Sequence, residues 1–575
     1  MTADQLITEH IDLWTAAIKR RSTAGRGSSR KIELYGIKKL RELILELAVR
    51  GLLVPQDPKD EPASELLKKI ATERARLVKE GKIKQDKSLS STSVGRALPY
   101  IPTGWACERF GNFAVIERGG SPRPIQSYLT DQPDGLNWIK IGDTDIGGKY
   151  IIATREKITK EGLSKTRMVY PGDFLLTNSM SFGRPYITKI EGCIHDGWLR
   201  ISPSEYLNKD FLYLLLSSPY IAKAFTDAAA GAVVQNLNSE KVREVLILLP
   251  PLAEQHRIVA KVDELMALCD QLEQQTYASL SAHQTLVETL LNALTGAADH
   301  AQFASAWQRI AEHFDTLFTT EESIDQLKQT LLQLAVMGKL VPQDPKDEHA
   351  SEPLKRIAAE KAKLVKEGRI KAGKLLSPIA KEETPFAMPS GWAVARLANV
   401  INVLNGRAYS KHEMLSEGTP ILRVGNLFTS NEWYFSDLEL EPEKYIDDGD
   451  LIFAWSASFG PFIWQGGKVI YHYHIWKMDF FSKAEVDKYF FRHYLQAISA
   501  AIKESGNGIA MIHMTKERME RLVLPIPPLA EQHRIVAKLD ELMVLCDQLK
   551  SRLSDAQTTQ LHLAEALAEQ ALVEA

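Results

Sequence analysis

The chain has 575 residues, 45% of them hydrophobic and 25% charged. That length exceeds what one hydrophobic core supports, so several domains are expected, and the composition excludes wholesale disorder. Seventy Lys and Arg against seventy-three Asp and Glu leave a formal charge of -3; a nucleic-acid surface must therefore be a local patch, not a bulk property.

The first predicted elements are helices. Ile37, Leu40, Ile44 and Leu47 recur at heptad spacing and stop at Gly51. The loop VPQDP follows, and ASELLKKI resumes helix until a second glycine, Gly81. Pro102-Thr-Gly104-Trp105 opens a stretch of mixed α/β character. It includes the runs WIKIGD (Trp138 to Asp143), GDFLLTNSMSFG (Gly172 to Gly183) and FLYLLLSSPYIAKAF, and it exits on VLILLPP. The proline pair ends that exit strand and launches a long helix, in which Ile258, Val262, Leu265, Cys269 and Leu272 form an a/d seam.

The rest of the chain repeats this order. VPQDPKDEPASELLKKIATERARLVKEGKIKQDK, from Val54, recurs from Val341 with 25 of 34 positions identical at an offset of 287. PPLAEQHRIVAKVDELMALCDQL, from Pro250, recurs from Pro527 with 21 of 23 identical at an offset of 277. The seams recur as Ile324, Leu327, Leu331, Leu334 and as Ile535, Leu539, Leu542, Cys546, Leu549, with Gly338 and Gly368 as stops. Between the near-identical blocks, residues 100–249 and 389–526 have diverged but keep a skeleton: Pro389-Ser-Gly391-Trp392, ILRVGN from Ile421 and GDLIFAWSASFG from Gly449. The two ends of the chain together make one copy of its middle, so a tandem duplication with pseudo-two-fold, cyclic order is expected. The fold class is α+β or mixed α/β, with two similar domains joined by long antiparallel coiled-coil helices. The divisions are 1–99, 100–249, 250–388, 389–526 and 527–575.

Catalytic motifs are missing. There is no G-x-x-x-x-G-K-[ST] loop, G-x-S-x-G elbow or H-E-x-x-H. Cys107, Cys193, Cys269 and Cys546 stand far apart with no C-x-x-C pair, against a zinc ribbon or a disulfide framework. Ser217-Ser218-Pro219-Tyr220 only superficially resembles the base-holding tetrad of adenine methyltransferases, and Glu441, Glu443 and Lys444 are a faint nuclease echo. His472 and His474 alternate as on a strand, which puts both on one face, but no acidic partner suggests a metal. The amino terminus has no apolar leader and no run of 18 uncharged apolar residues occurs, so the chain reads as soluble and cytoplasmic, away from membranes.

Nucleic-acid contact has better local support. Residues 149–167 carry six cations, among them Lys157 and Lys160, against two glutamates. Arg118, Ser121 and Arg123 follow the first Gly-Trp strand, and Arg407, Tyr409 and Lys411 stand at the equivalent place in the second half. Glycine, hydroxyl, arginine and lysine suit phosphate and base-edge contacts. The neighbouring glycine-bounded runs extend the candidate surface with Lys140, Asn178, Ser181 and Arg184 in the first half, and with Arg423, Asn426, Ser456, Ser458 and His472 in the second.

Two divergent domains, each followed by a helical block beginning PPLAEQ, resemble the DNA-specificity subunits of type I restriction-modification systems, in the subgroup with an extended amino-terminal region. The resemblance spans essentially the whole chain. It implies a non-catalytic subunit in which residues 100–249 read one half of a bipartite, asymmetric double-stranded DNA target and residues 389–526 the other. It also implies two methyltransferase and two restriction motor subunits as partners. Those partners, not this chain, would use S-adenosylmethionine, Mg and ATP; no cofactor or metal is expected here. Pro251, Glu254, Gln255 and Arg257, with Pro528, Glu531, Gln532 and Arg534, are the expected partner-binding residues.

Overall fold

The computed structural model describes residues 3–21, 31–83, 100–145, 147–178, 183–229, 237–372, 376–428, 430–456, 459–505 and 514–574. It divides into two units, Met1–Leu280 with Ala556–Ala575, and Ser281–Asp555.

In the first unit the helix Tyr35–Arg50 buries Ile37, Leu40, Ile44 and Leu47, the heptad face seen in the sequence. It ends where Gly51 turns left-handed, at φ 76°. After the VPQDP loop the helix Ala63–Lys79 runs to Gly81, again at positive φ. The diverged region then folds on two sheets. The larger has the order Ala114–Arg118, Trp198–Pro203, Phe174–Thr177, Pro185–Thr188 and Tyr150–Ile151. The smaller has Glu156–Ile158, Leu136–Ile139, Gly192–Ile194 and Arg167–Val169. Beside them, Ala106–Arg109 pairs antiparallel with the exit strand Leu246–Leu249, closing the region at its base.

The second unit repeats this plan. Its larger sheet runs Ile401–Asn405, Ile475–Phe480, Leu451–Ala454, Gly460–Ile463, and its smaller sheet Tyr434–Ser436, Thr419–Leu422, Val469–Tyr471, Tyr445–Ile446. The registers coincide with the sequence offsets. Thr177 pairs with Trp198 in the first unit and Ala454 with Ile475 in the second. Arg118 faces Leu199 as Asn405 faces Trp476, and Ile139 faces Ile194 as Leu422 faces Tyr471. A one-residue slip would turn every side chain to the opposite face, so coincident registers mean that equivalent positions point the same way.

Two long helices, Leu252–Thr295 and Leu529–Glu574, follow the exit strands. In the first unit Leu265, Cys269 and Leu272 share a core cluster with Leu561, Ala564 and Leu567 from the end of the second helix. The end of the chain is tied in by a hydrogen bond from the Tyr35 hydroxyl to the Glu565 carboxylate. In the second unit Val287, Leu291 and Leu294 share a cluster with Ile535, Leu539 and Cys546. Each unit thus joins the beginning of one long helix to the end of the other, and the apolar seams read from the sequence supply the contact. Among the described residues, no helix is long and apolar enough to cross a membrane.

One sequence expectation fails here. His472 and His474 do not alternate on a strand, because Val469–Tyr471 belongs to the smaller sheet, Ile475–Phe480 to the larger, and residues 472–474 are the turn between them. The chain changes sheets there, which apolar patterning alone does not reveal.

Candidate nucleic-acid interface

In each unit the sheet-changing turn meets the loop that leaves the first strand of the larger sheet. The approach is close enough to require glycine. A Cβ on Gly119 would lie 2.2 Å from the carbonyl oxygen of His195, and one on Gly406 would lie 2.4 Å from that of His472. These contacts, at equivalent positions, fix the loops Arg118–Arg123 and Asn405–His412 against turns 195–197 and 472–474.

In the first unit the contact is polar and centres on Asp196. Ser121 Oγ donates to its carboxylate at 2.6 Å, Arg123 Nη2 stands 3.5 Å from it, and Arg118 Nε donates to its carbonyl at 3.1 Å. Asn178 Nδ2 donates to the same carbonyl at 2.8 Å. The Ser121 hydrogen bond, foremost, holds the Asp196 carboxyl below the usual carboxylate range. Arg123 nonetheless keeps 81% of its side chain exposed, and Arg118 and Arg184 are also exposed.

In the second unit the same frame carries aromatic rings. Trp455 Nε1 donates to the carbonyl of Tyr473 at 2.9 Å, in the place of the Asn178–Asp196 bond. The His472, Tyr473 and His474 rings lie with centroids 4.0–4.9 Å apart. Burial, with His474 and Arg423 nearby, lowers the His472 pKa to about 4, so its ring is neutral at physiological pH. His195, at the equivalent position, is also shifted down, chiefly by burial.

The predicted cations are distributed unevenly. Arg407 is half-buried, paired with Glu413 at 2.6 Å and stacked over the Tyr409 ring. Lys411 and Arg423 are exposed, with the Arg423 guanidinium over the Tyr434 ring. Lys140 pairs with Glu156. Lys140 and Arg423 are backbone equivalents, since Asp143 and Asn426 accept from their amides at 2.9 and 3.1 Å. Ser456 is half-buried, whereas Ser181 and Ser458 lie outside the described residues.

Several expectations are corrected. Tyr409 and Asn178 are 7% and 1% exposed, so neither presents its side chain to DNA; each supports its loop from beneath. Three of the six cations of the stretch 149–167 pair with acids from distant segments: Lys149 with Asp210, Lys160 with Asp134 and Arg167 with Glu117. Lys157 donates to the carbonyl of Pro133. The three acids come from elsewhere in the fold, which a local charge count misses.

The expected partner-binding residues are also redirected. Pro251, Glu254 and Gln255, with Pro528, Glu531 and Gln532, are buried, and none offers a docking surface. Glu254 accepts from Trp105 Nε1 at 3.0 Å and Gln56 Nε2 at 3.4 Å; Glu531 accepts from Trp392 at 3.1 Å and Gln343 at 3.2 Å. Gln255 takes the Asn208 amide and donates to the Pro250 carbonyl; Gln532 does the same with Asp487 and Pro527. Arg257 and Arg534 fork onto Asp60 and Asp347 of the VPQDPKD loops. The repeated blocks therefore lock together within each unit by the same set of contacts.

Sequence reasoning missed Asp196, His195, Trp455 and Tyr473. The available signal was the 277 offset itself, which aligns His195 with His472 and Asp196 with Tyr473.

Two copies of one β frame, differing where the loops are exposed and identical where helices lock to loops, define a duplicated recognition module. Residues 102–282 and 389–556 both match the type I restriction modification DNA specificity domain. The chain belongs to that family, the specificity subunits that recognise the DNA target of type I restriction-modification systems. It is 41% identical over 619 aligned residues to the type I restriction enzyme EcoAI specificity subunit of Escherichia coli, covering 100% of both chains. It is 38% identical over 605 residues to the EcoEI specificity subunit of the same species, again covering 100% of both. Among solved structures it is similar to the HsdS subunit of Thermoanaerobacter tengcongensis, at 18% identity and a TM-score of 0.40, over 82% of this chain and 98% of that one.

Proposed function

We propose that the two units read different halves of a bipartite, asymmetric DNA target, the first through Arg118, Arg123 and Arg184 and the second through Lys411, Arg423 and the turn at Tyr473. The observation that carries this reading is the coincidence of strand registers with replacement of the exposed side chains. Equivalent backbone positions hold Arg118 or Asn405, Ser121 or Ala408, and Asp196 or Tyr473. The same scaffold with a different donor and acceptor set selects different base edges.

The chain holds no cofactor or metal and does no chemistry in this reading. Methyltransferase and restriction motor subunits, two of each, dock on it and bring S-adenosylmethionine, Mg and ATP. Exposed Leu286, Val544, Leu545 and Leu563 on the long helices support a docking role for those helices. Incubation of the purified chain with labelled S-adenosylmethionine and DNA should give no methyl transfer, whereas transfer without partners overturns the division of labour. Light scattering at saturation should show two methyltransferase subunits per chain; one would overturn the stoichiometry.

A further inference from the structure

Two loops of the first unit converge on one residue of the sheet-changing turn. The Asp196 carboxylate accepts from Ser121 Oγ and has Arg123 Nη2 at ion-pair distance, 3.5 Å, while its carbonyl accepts from Arg118 Nε and Asn178 Nδ2. Its own amide donates to Ser121 Oγ at 3.3 Å, closing a small ring of bonds between turn and loop. The loop backbone is itself bonded to the turn and the strands beside it. Gly119 N donates to the Trp198 carbonyl at 2.9 Å and Gly120 N to that of Ile194 at 3.2 Å, and a Cβ on Gly120 would meet the Lys165 carbonyl oxygen at 2.5 Å.

The second unit supplies the internal comparison. There the bond from the side chain at 178 or 455 to the carbonyl at 196 or 473 is preserved, and so is the glycine against the turn. These contacts build the frame. The carboxylate is not preserved: Tyr473 stands in its place, Ala408 replaces Ser121, and Arg407 turns to its own local acid, Glu413. What Asp196 adds beyond the frame is a carboxylate, bonded to Ser121 and facing the exposed Arg123.

We propose that Asp196 is a positioning residue for base recognition in the first unit: its carboxylate, 3.5 Å from Arg123 Nη2, orients the exposed guanidinium so that the free edge reads a guanine. An arginine forked onto guanine O6 and N7 is a strong discriminator between bases, and its selectivity depends on the plane of the fork. A side chain as exposed as Arg123 has that plane set only if an acceptor beside it orients it. Tyr473 gives the second unit a ring and a hydroxyl in place of this acceptor, so the two units differ in recognition chemistry at equivalent positions. The inference rests on the reading of loop 118–123 as a DNA contact.

The test is selection of bound sequences from a randomised duplex library by the full chain assembled with its methyltransferase partners. Four proteins are compared: the parent, Asp196→Asn, Arg123→Lys and the double variant Asp196→Asn/Arg123→Lys. Asn keeps neutral hydrogen bonding to Ser121 and the backbone carbonyl but removes the charge facing Arg123; Lys keeps the charge but loses the fork. Each single change should relax preference at the same base pair, by about 5- to 100-fold, in one half-site only, and the double variant should be no more relaxed than Arg123→Lys. An even loss of affinity across all sequences on Asp196→Asn, relaxation at a different base pair, or additive effects would overturn the inference. Arg123→Lys is a surface change and folds regardless; if it leaves the selected sequence unaltered, the reading of the loop itself fails. If it relaxes one base pair while Asp196→Asn does not, only the positioning role fails.

Discussion

The indole nitrogen of Trp105 donates to the buried carboxylate of Glu254 at 3.0 Å, and 287 and 277 residues further on, respectively, Trp392 and Glu531 repeat the bond at 3.1 Å. The bond joins the Pro-x-Gly-Trp motif that opens each recognition region to the first turn of the helix that leaves it. Burial raises the pKa of both glutamates, so the fold favours a neutral acceptor there more than water does. Glu254→Gln, which keeps an oxygen for the indole, should cost less stability than Trp105→Phe, which leaves the buried acceptor without its donor at about 1.5–3 kcal/mol. Urea denaturation of the two variants checks the order, and the same ranking should hold for Glu531→Gln and Trp392→Phe.

Protonation of the turn histidine should weaken the second unit in mild acid. His472 has a folded pKa of about 4 against about 6.5 in an unfolded chain. Between those values the unfolded chain binds a proton that the folded chain does not, so stability falls as pH falls through this window and is unaffected above it. Unfolding measured at pH 7 and pH 5 should show a smaller loss for His472→Asn than for the parent; an equal loss would mean that the ring is not held neutral.

The thiols should be inert while the chain is folded. Burial pushes Cys193 and Cys269 up to about 11, and raises Cys107 and Cys546 as well. The thiolate is the reactive form, so iodoacetamide at pH 8 should label none of the four quickly, and all four after denaturation. Rapid labelling of Cys269 in the native chain would show that the helix seam at its position opens.

The glycine contacts give a sharper local test. Gly119→Ala puts a methyl group into the carbonyl of His195 and must displace the loop, so binding should weaken with relaxed selection in one half-site only. Sequence selection and a melting curve together separate this from general unfolding.

The helices were legible in the sequence because heptad seams and left-handed glycine stops are local signals: Ile37 to Leu47 with Gly51, and Ile324 to Leu334 with Gly338, fall as read. The duplication was legible because identity at two fixed offsets needs no structure. What was hidden depends on contacts between distant segments. Lys160 looks like a free cation until Asp134 is brought to it, and Glu254 looks like a docking residue until Trp105 is folded over it. Near-identity of two blocks reports a shared constraint without saying whether it comes from a partner or from the chain's own interior. The cluster around Asp196 was hidden for the same reason: it gathers Arg118, Ser121 and Arg123 from one loop and Asn178 from another, and no spacing in the sequence links them.

The central claim is that each unit reads its own half of the target. Sequence selection by the full assembled chain carrying Arg118→Ala, compared with Arg423→Ala, tests it most directly. Arg118→Ala should relax positions in one half-site by about 1–3 kcal/mol if its contact is bidentate, and Arg423→Ala positions in the other by a similar amount. If either substitution relaxes both halves equally, the two units do not read separately and the account is wrong.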